Sequence, residues 1–301
     1  MPKNVLVLLL GTTDGGPMDL YQDLQRRTAE ATAKAVGIDV EVVFAAGFGQ
    51  YRVIRRRLSD TARPLDAVVM EPATVANMDL ILKDLGGRTG VVLLNAWDPL
   101  VEAHHRQWPS GHPIGTISMP HAKFGELQGR QVSGVVGQGA SILVVTGPSR
   151  SSAAVERLQG LKSTVRPDIQ VFDCEAGQWN ETEGALAFGA WYGVFRSRRE
   201  TIEAVAGQSD DLAVGARGAA TKVSNAEHAR MFARARYFGV GAVPGFGKEK
   251  VDDGTLQASI VAPPNAGTAL ELLRQYWATG RPLPLRSFTD VVAYPPSRPG
   301  A

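Results

Sequence analysis

Short runs of apolar residues recur along the chain, each followed by a turn rich in glycine, proline or serine and then by a stretch with apolar positions at helical spacing. That alternation predicts strands leading into helices, the βα unit of parallel α/β folds. The first unit is the plainest. Val5 to Leu10 is apolar at every position, as a strand buried on both faces is, and the loop from Gly11 to Pro17 separates it from a helix predicted from about Asp19 to Val36. Leu20, Leu24, Ala31 and Ala35 form the expected apolar stripe of that helix, and Gly37 ends it as a left-handed cap. Further strands are predicted over 38–44, 65–70, 90–94 and 114–117, with helices near 51–58 and 74–85.

The pattern then restarts. Ser141 to Val145 is again an apolar strand, with a turn-rich loop over 146–152 and a helix over 153–161. Strands are predicted over 169–172, 202–206, 237–240 and 257–261, helices over 182–197, 211–217, 226–235 and 265–279, and a closing strand over 287–292. From Tyr294 onward proline is too frequent for a regular element, so a surface tail is expected. Two successive units of this kind predict an α/β fold of two doubly wound parallel-sheet lobes. Ligands of such sheets sit outside the carboxyl ends of the strands, which directs attention to Asp14, Glu71, Asn95, Ser118, Arg150 and Ser209.

Composition narrows the picture. The 301 residues, enough for two domains at roughly 100 to 200 residues each, are 44% hydrophobic and 21% charged, with a mean hydropathy of −0.08, the usage of a chain that buries a core. Lys and Arg number 32 against 30 Asp and Glu, a net charge of +2, so nothing in the balance points to a nucleic-acid partner. Cys174 is the only cysteine, which excludes an intramolecular disulfide and a thiolate metal cage. The run Val5 to Leu10 is shorter than the roughly 7 to 15 residues of a secretory signal core and than the ~20 of a membrane span. A periplasmic location is expected if a leader has been removed, and a cytoplasmic one otherwise.

Catalytic motifs are missing. No G-x-G-x-x-G follows the first strand, and the segment from Gly239 to Gly245 has Pro244 where a third glycine would stand. Gly247 and Lys248 are followed by Glu249 rather than by Ser or Thr, and no G-x-S-x-G occurs. His104 and His105 are adjacent and diverge in a helix or a strand, and Arg55, Arg56 and Arg57 read as a solvated helix face. Neither a cofactor nor a metal site nor catalytic residues are expected. One constellation does suit recognition: Asp14 and Tyr21 after the first strand, Asn95 with Trp97 and Asp98 after the fourth, Trp179 ahead of a helix, and Ser209, Asp210 and Asp211 after the strand over 202–206. Planar polar groups pair with vicinal hydroxyls while rings cover the apolar face of a sugar. For Trp179, a stacking surface and a half-buried core indole both remain open.

The segment 141–157, SILVVTGPSRSSAAVER, resembles the opening of the second lobe in type I periplasmic sugar-binding proteins and the related lactose-repressor-type sensor domains. Trp179 with its helix, IEAVAGQSDDLAVGA over 202–216 and DDGTLQASI over 252–260 follow in that family's order and spacing. The resemblance implies two lobes joined by three crossovers, near Ser118, Ala262 and Leu285: residues 1–118 with 263–286 as the first lobe, 119–262 with 287–301 as the second. It also implies a non-enzymatic protein that closes its lobes around a small, sugar-like ligand, as the solute receptor of an ABC-type importer working with a membrane permease. The alternatives are a cytoplasmic ligand sensor partnering a signalling protein, and an enzyme on a doubly wound scaffold using Asp14, Glu71 and Asp98. Carried over by position, the ligand groups are Asp14, Tyr21, Glu71, Asn95, Ser118 and His121, then Arg157, Trp179 and Ser209. Gly241, Ala242 and Val243 stand where sugar binders commonly carry a Phe-Asp pair, and Ala262 where an amide is frequent. Those departures leave open a ligand other than a typical pentose or hexose. No DNA-binding headpiece precedes the strand at Val5, so direct DNA binding is not expected.

Overall fold

In the first strand the two side-chain faces are equally apolar, and the structure shows why. Val5, Val7 and Leu9 enter one buried cluster while Leu6 and Leu8 enter another, so the sheet is covered on both sides. The computed structural model describes residues 2–86, 88–96, 99–109, 111–198 and 200–296, with only the backbone of Val75 and Ala76. Its first unit comprises Met1–Met119 and Pro263–Thr289. Strands β1 (Lys3–Leu10), β2 (Ile38–Ala45), β3 (Ala67–Met70), β4 (Gly90–Leu94), β5 (Ile114–Ser118) and β11 (Arg286–Phe288) form one parallel sheet in the order β11-β5-β4-β3-β1-β2. Helices α1 (Leu20–Val36) and α11 (Asn265–Thr279) cover one face through Ala29, Ala33, Ala266 and Leu270. Helices α2 (Gly49–Ser59), α3 (Val75–Leu85) and α4 (Pro99–Gln107) cover the other through Ile54, Met78, Ile81 and Val101.

The second unit comprises Pro120–Ala262 and Asp290–Ala301. Its parallel sheet runs β7-β6-β8-β9, from β6 (Ser141–Thr146), β7 (Gln170–Glu175), β8 (Ile202–Gly207) and β9 (Arg236–Phe238). Strand β10 (Ser259–Val261) pairs antiparallel with β12 (Val292–Tyr294). Val132 and Leu161, from α5 (His121–Ser133) and α6 (Ser152–Thr164), pack on one face of the four-stranded sheet. Phe188, Leu212 and Phe232, from α7 (Glu181–Phe195), α8 (Asp210–Ala220) and α9 (Ala226–Arg234), pack on the other, and the short α10 (Gly247–Asp252) precedes β10. No helix among the described residues is long and apolar enough to cross a membrane.

Several local expectations need correction. Helix α1 buries Gln22, Gln25, Ala29 and Ala33 rather than the predicted stripe, and Leu20 is 46% exposed. The two glutamines are buried because their amides find fixed partners. Helices α4, α5 and α10 are not predicted by apolar periodicity: α5 buries Gly125, Gln128 and Gly129 beside Phe124 and Val132, and the buried residue of α4 is Val101. The strand expected over 287–292 is split between β11, which pairs with β5, and β12, which pairs with β10 and takes in Tyr294 of the expected tail. Arg57 is buried rather than solvated, its guanidinium 2.8 Å from Glu41 and 2.9 Å from Asp60. Gly37 caps α1 at a φ of 73°, as its sequence position predicts.

Candidate functional site

In the first unit the strand order reverses between β1 and β3, and the carboxyl ends at such a switch point open a crevice. Glu71 is the first residue after β3. Gln22 Nε2, from the first turn of α1, donates to one carboxyl oxygen of Glu71 at 2.9 Å, and Asn95 Nδ2 donates to the other at 3.1 Å. Both amides are held in one orientation: the Leu10 N–H donates to Gln22 Oε1 at 3.3 Å, and Asn265 Nδ2 donates to Asn95 Oδ1 at 2.6 Å. Asn95 has a φ of 52°, a left-handed conformation that asparagine tolerates better than most residues. Burial pushes the Glu71 carboxyl up to about 7, against the two amide bonds and with help from the charge of Asp19.

Other carboxamides support this edge. Gln50 Nε2 donates to the Glu71 carbonyl at 2.7 Å, while its Oε1 accepts from the Ala73 N–H at 2.9 Å and from Asn77 Nδ2 at 3.0 Å. Gln25 Oε1 accepts from the Ala266 N–H at 2.8 Å, its Nε2 donates to Tyr21 Oη at 3.1 Å, and Tyr21 Oη donates to the Pro263 carbonyl at 3.2 Å. Ser118 Oγ and Asn265 Oδ1 are buried without a hydrogen-bond partner. The structure thus links Glu71 and Asn95 directly and ties Tyr21 to the same helix. Asp14 is exposed and turned into its own loop, where the Thr12 hydroxyl donates to it and holds its carboxyl below the ordinary value. Trp97 and Asp98 lie outside the described residues.

In the second unit the order reverses between β6 and β8. Gln208, directly after β8, spans the gap: its Oε1 accepts from the Gly147 N–H at 3.0 Å and its Nε2 donates to the Ala154 carbonyl at 2.9 Å. Arg157 on α6 is buried, and its Nη1 donates to the Gln208 carbonyl. Its Nη2 is 3.3 Å from His121 Nδ1. A guanidinium only donates, so His121 Nδ1 accepts and the imidazole is neutral. Burial, reinforced by the Arg157 charge, pushes His121 down to about 3. The guanidinium carbon lies 5.4 Å from the ring centroids of both Phe124 and Trp179. Trp179 is half-buried; a Cβ placed on Gly147 would come within 2.3 Å of its ring, so the indole rests on a backbone that only glycine leaves bare.

Ser209 and Asp210 have other work. The Ser209 hydroxyl oxygen caps α8 by accepting from the Leu212 N–H at 3.2 Å. Asp210 is buried, accepting from the Ser259 hydroxyl and from the Ala242 N–H at 2.6 Å, and Gly239, Gly241 and Gly247 crowd it so closely that a Cβ on any of them would collide with its carboxyl. Burial raises this carboxyl to about 6. Gln22, Gln50, Gln208 and Asn265 are the groups sequence reasoning misses; their one signal is a polar amide at a helix start or directly after a strand. Surface hollows lined by Arg55, Lys83 and Arg88, and by Glu203, Arg230 and Arg234, lie at the opposite, amino-terminal edges of the sheets. Among the described residues no three His, Cys, Asp or Glu converge as metal ligands.

Comparison with known proteins agrees with this architecture. No curated protein sequence matches the chain. A solute-binding protein of an ABC transporter from Actinobacillus succinogenes 130z, with bound D-allose, aligns over 97% of each chain at 17% identity and a TM-score of 0.77. A periplasmic ribose ABC transporter protein from Conexibacter woesei DSM 14684 aligns over 97% of this chain and 91% of its own at 18% identity, with a TM-score of 0.76. The fructose-binding periplasmic domain of a hybrid two-component system aligns over 97% and 90% at 20% identity, with a TM-score of 0.73. At these identities the likeness is one of fold, two parallel α/β lobes of the type I periplasmic binding arrangement. The sequence model of the periplasmic binding protein domain matches residues 16–281, and the chain belongs to that family.

Proposed function

We propose that the protein is a receptor for a small polyhydroxylated molecule, a sugar or a close relative, serving as the periplasmic solute-binding component of an ABC-type importer. The observation that carries this reading is that at the switch point of each sheet an ionisable side chain is held in place, by fixed side-chain amides in the first unit and by a main-chain carbonyl in the second. Glu71 is held by Gln22 and Asn95, and Arg157 by the carbonyl of Gln208. Such pre-oriented groups accept and donate to hydroxyls without the entropy of ordering them on binding. Trp179, beside Arg157, offers the ring that a sugar face stacks on, and Ser118 supplies a buried hydroxyl. Asp14 and Ser209 contribute through their loops and caps more than through direct contact.

Of the proteins of similar fold, one holds bound D-allose and the others are named for ribose and fructose. One of them is a domain of a two-component system, which favours a ligand sensor with a signalling partner as the second reading. Equilibrium titration of the whole chain with sugars, polyols and nucleosides tests the proposal, with the ligand recovered and analysed afterwards. The receptor reading expects saturable one-to-one binding and unchanged ligand; conversion to product would establish an enzyme instead.

A further inference from the structure

We infer that the ligand carries a positively charged nitrogen and that Glu71 is the residue that selects it; this rests on the receptor reading above. Each oxygen of Glu71 accepts one N–H, from Gln22 at 2.9 Å and Asn95 at 3.1 Å, and both amides are locked by their own carbonyl bonds, so the carboxyl group is set in place by neutral donors. No Lys, Arg or His nitrogen among the described residues lies within ion-pair distance of it. A partly buried carboxylate without a countercharge is costly, and the charge is met either by a proton or by a cation that the ligand brings.

The surroundings make the same demand. In the first unit the described segments that follow the strands at their carboxyl ends, 11–19, 46–48, 71–74 and 95–96, contain Asp14, Asp19 and Glu71 and not one Lys, Arg or His. Residues 263–265, which lead into α11, add no basic side chain either. The cations of the neighbouring α1 are spent locally, Arg26 on Asp23 and Glu30, Arg27 on Asp23.

A second observation is independent of charge. Asn265 is fully buried and gives its Nδ2 to Asn95, yet its Oδ1 accepts nothing; Ser118 Oγ is buried and likewise without a partner. The Asn95 N–H donates to the Ile117 carbonyl at 2.9 Å, which keeps the end of β5 beside Asn95. The bonds that run from Glu71 through Asn95 thus end near two oxygens that lack a hydrogen-bond donor, an amide and a hydroxyl, and an ammonium group brings N–H donors to such surroundings.

The groups facing Glu71 are Gln22 and Asp19 from α1, Asn95 after β4, and Gln50 from α2 on its carbonyl; of these Asp19 is the one other titratable group. Burial has raised Glu71 to about 7, so an ammonium ligand displaces a proton from part of the population and its binding weakens as pH falls. Neutral ligands bind without that dependence.

Titration calorimetry on the whole chain tests the inference with matched probes: sugars and inositols bearing one primary amine, each beside its hydroxyl parent and its N-acetyl derivative. At pH 7.5 the amine of the best-bound set should bind about tenfold or more tighter than both neutral partners. That preference, read as the ratio of amine to neutral affinity within each variant, should shrink several-fold by pH 6 and disappear in Glu71→Gln, whatever that variant's affinity for the neutral parent. Asp19→Asn keeps the helix cap and should lower the preference partway, so a failure of Glu71→Gln to fold leaves the claim testable. Neutral polyols binding as well as or better than their amines overturns the charge assignment and leaves the receptor standing. Neither class binding overturns both.

Discussion

At the scale of single residues, position at the carboxyl edge of a parallel sheet singled out Glu71, Asn95 and Trp179, while Arg157, inside α6, was singled out only by its likeness to a family position. Gln22, Gln208 and Asn265 were not legible, since a carboxamide in sequence looks the same whether it is solvated or locked into a buried pair. Trp179 distinguishes packing from recognition. Its ring lies against Arg157 and the Gly147 backbone and is half-buried, so Trp179→Ala should weaken ligand binding by more than tenfold, about 1.4 kcal/mol, yet lower unfolding stability by less than the ~3 to 5 kcal/mol of a fully buried aromatic. Denaturant unfolding beside a titration checks both; a large stability loss with unchanged affinity would make the indole a core residue only. Asp210 gives a pH signature. Its folded carboxyl is raised to about 6 from an ordinary 3.8, so its contribution to stability is fully present below the unfolded value and is lost as pH rises through about 6. Asp210→Asn keeps the acceptor for the Ala242 N–H and cannot ionise. Relative to the parent, that variant should therefore gain stability between pH 4 and 7, as read from urea midpoints; a difference that stays flat across this window contradicts a raised carboxyl.

At the scale of elements, the βα alternation was readable because buried parallel strands are continuous apolar runs. The helices that escaped it either bury a single apolar residue, as α4 does with Val101, or make much of their contact through small and polar residues. Helix α5 is the instructive case. A Cβ on Gly125 would come within 1.9 Å of the Arg157 carbonyl oxygen, and one on Gly160 within 2.0 Å of the Ala122 carbonyl oxygen, so α5 and α6 meet backbone to backbone. An apolar stripe cannot announce a contact built on missing side chains. The same contact sets His121 against Arg157 of the proposed site, since His121 opens α5 and Arg157 lies on α6. Gly125→Ala should force the helices apart, costing about 1 to 3 kcal/mol of stability and weakening ligand binding, whereas at Gly189 in α7, where a Cβ would meet nothing within 4 Å, the same change should raise stability by about 0.5 to 1 kcal/mol and leave binding unaltered. Urea unfolding and titration of the two variants side by side test this. Equal effects at both glycines would remove the helix contact from the account of the site.

At the scale of the molecule, the restart of the pattern at Ser141 made two α/β halves visible, and each half has its own pair of buried clusters on either side of its sheet. The splitting of the last predicted strand into β11 and β12 was not visible, because the two short strands lie only a few residues apart in sequence and pair with different partners. The central claim is that this fold exists to bind a small hydroxylated ligand, and linkage turns that claim into a shift in melting temperature. A ligand that binds only the folded state adds roughly 2.7 kcal/mol at a hundredfold excess over Kd. For domains of this size that corresponds to a rise of about 5 to 11 °C. The most direct measurement is thermal melting of the whole chain across a library of sugars, aminated sugars, polyols and nucleosides. The account predicts a saturable rise of that size for at least one member of the sugar-like classes; a flat midpoint across the whole library, at concentrations up to the millimolar range, would contradict it.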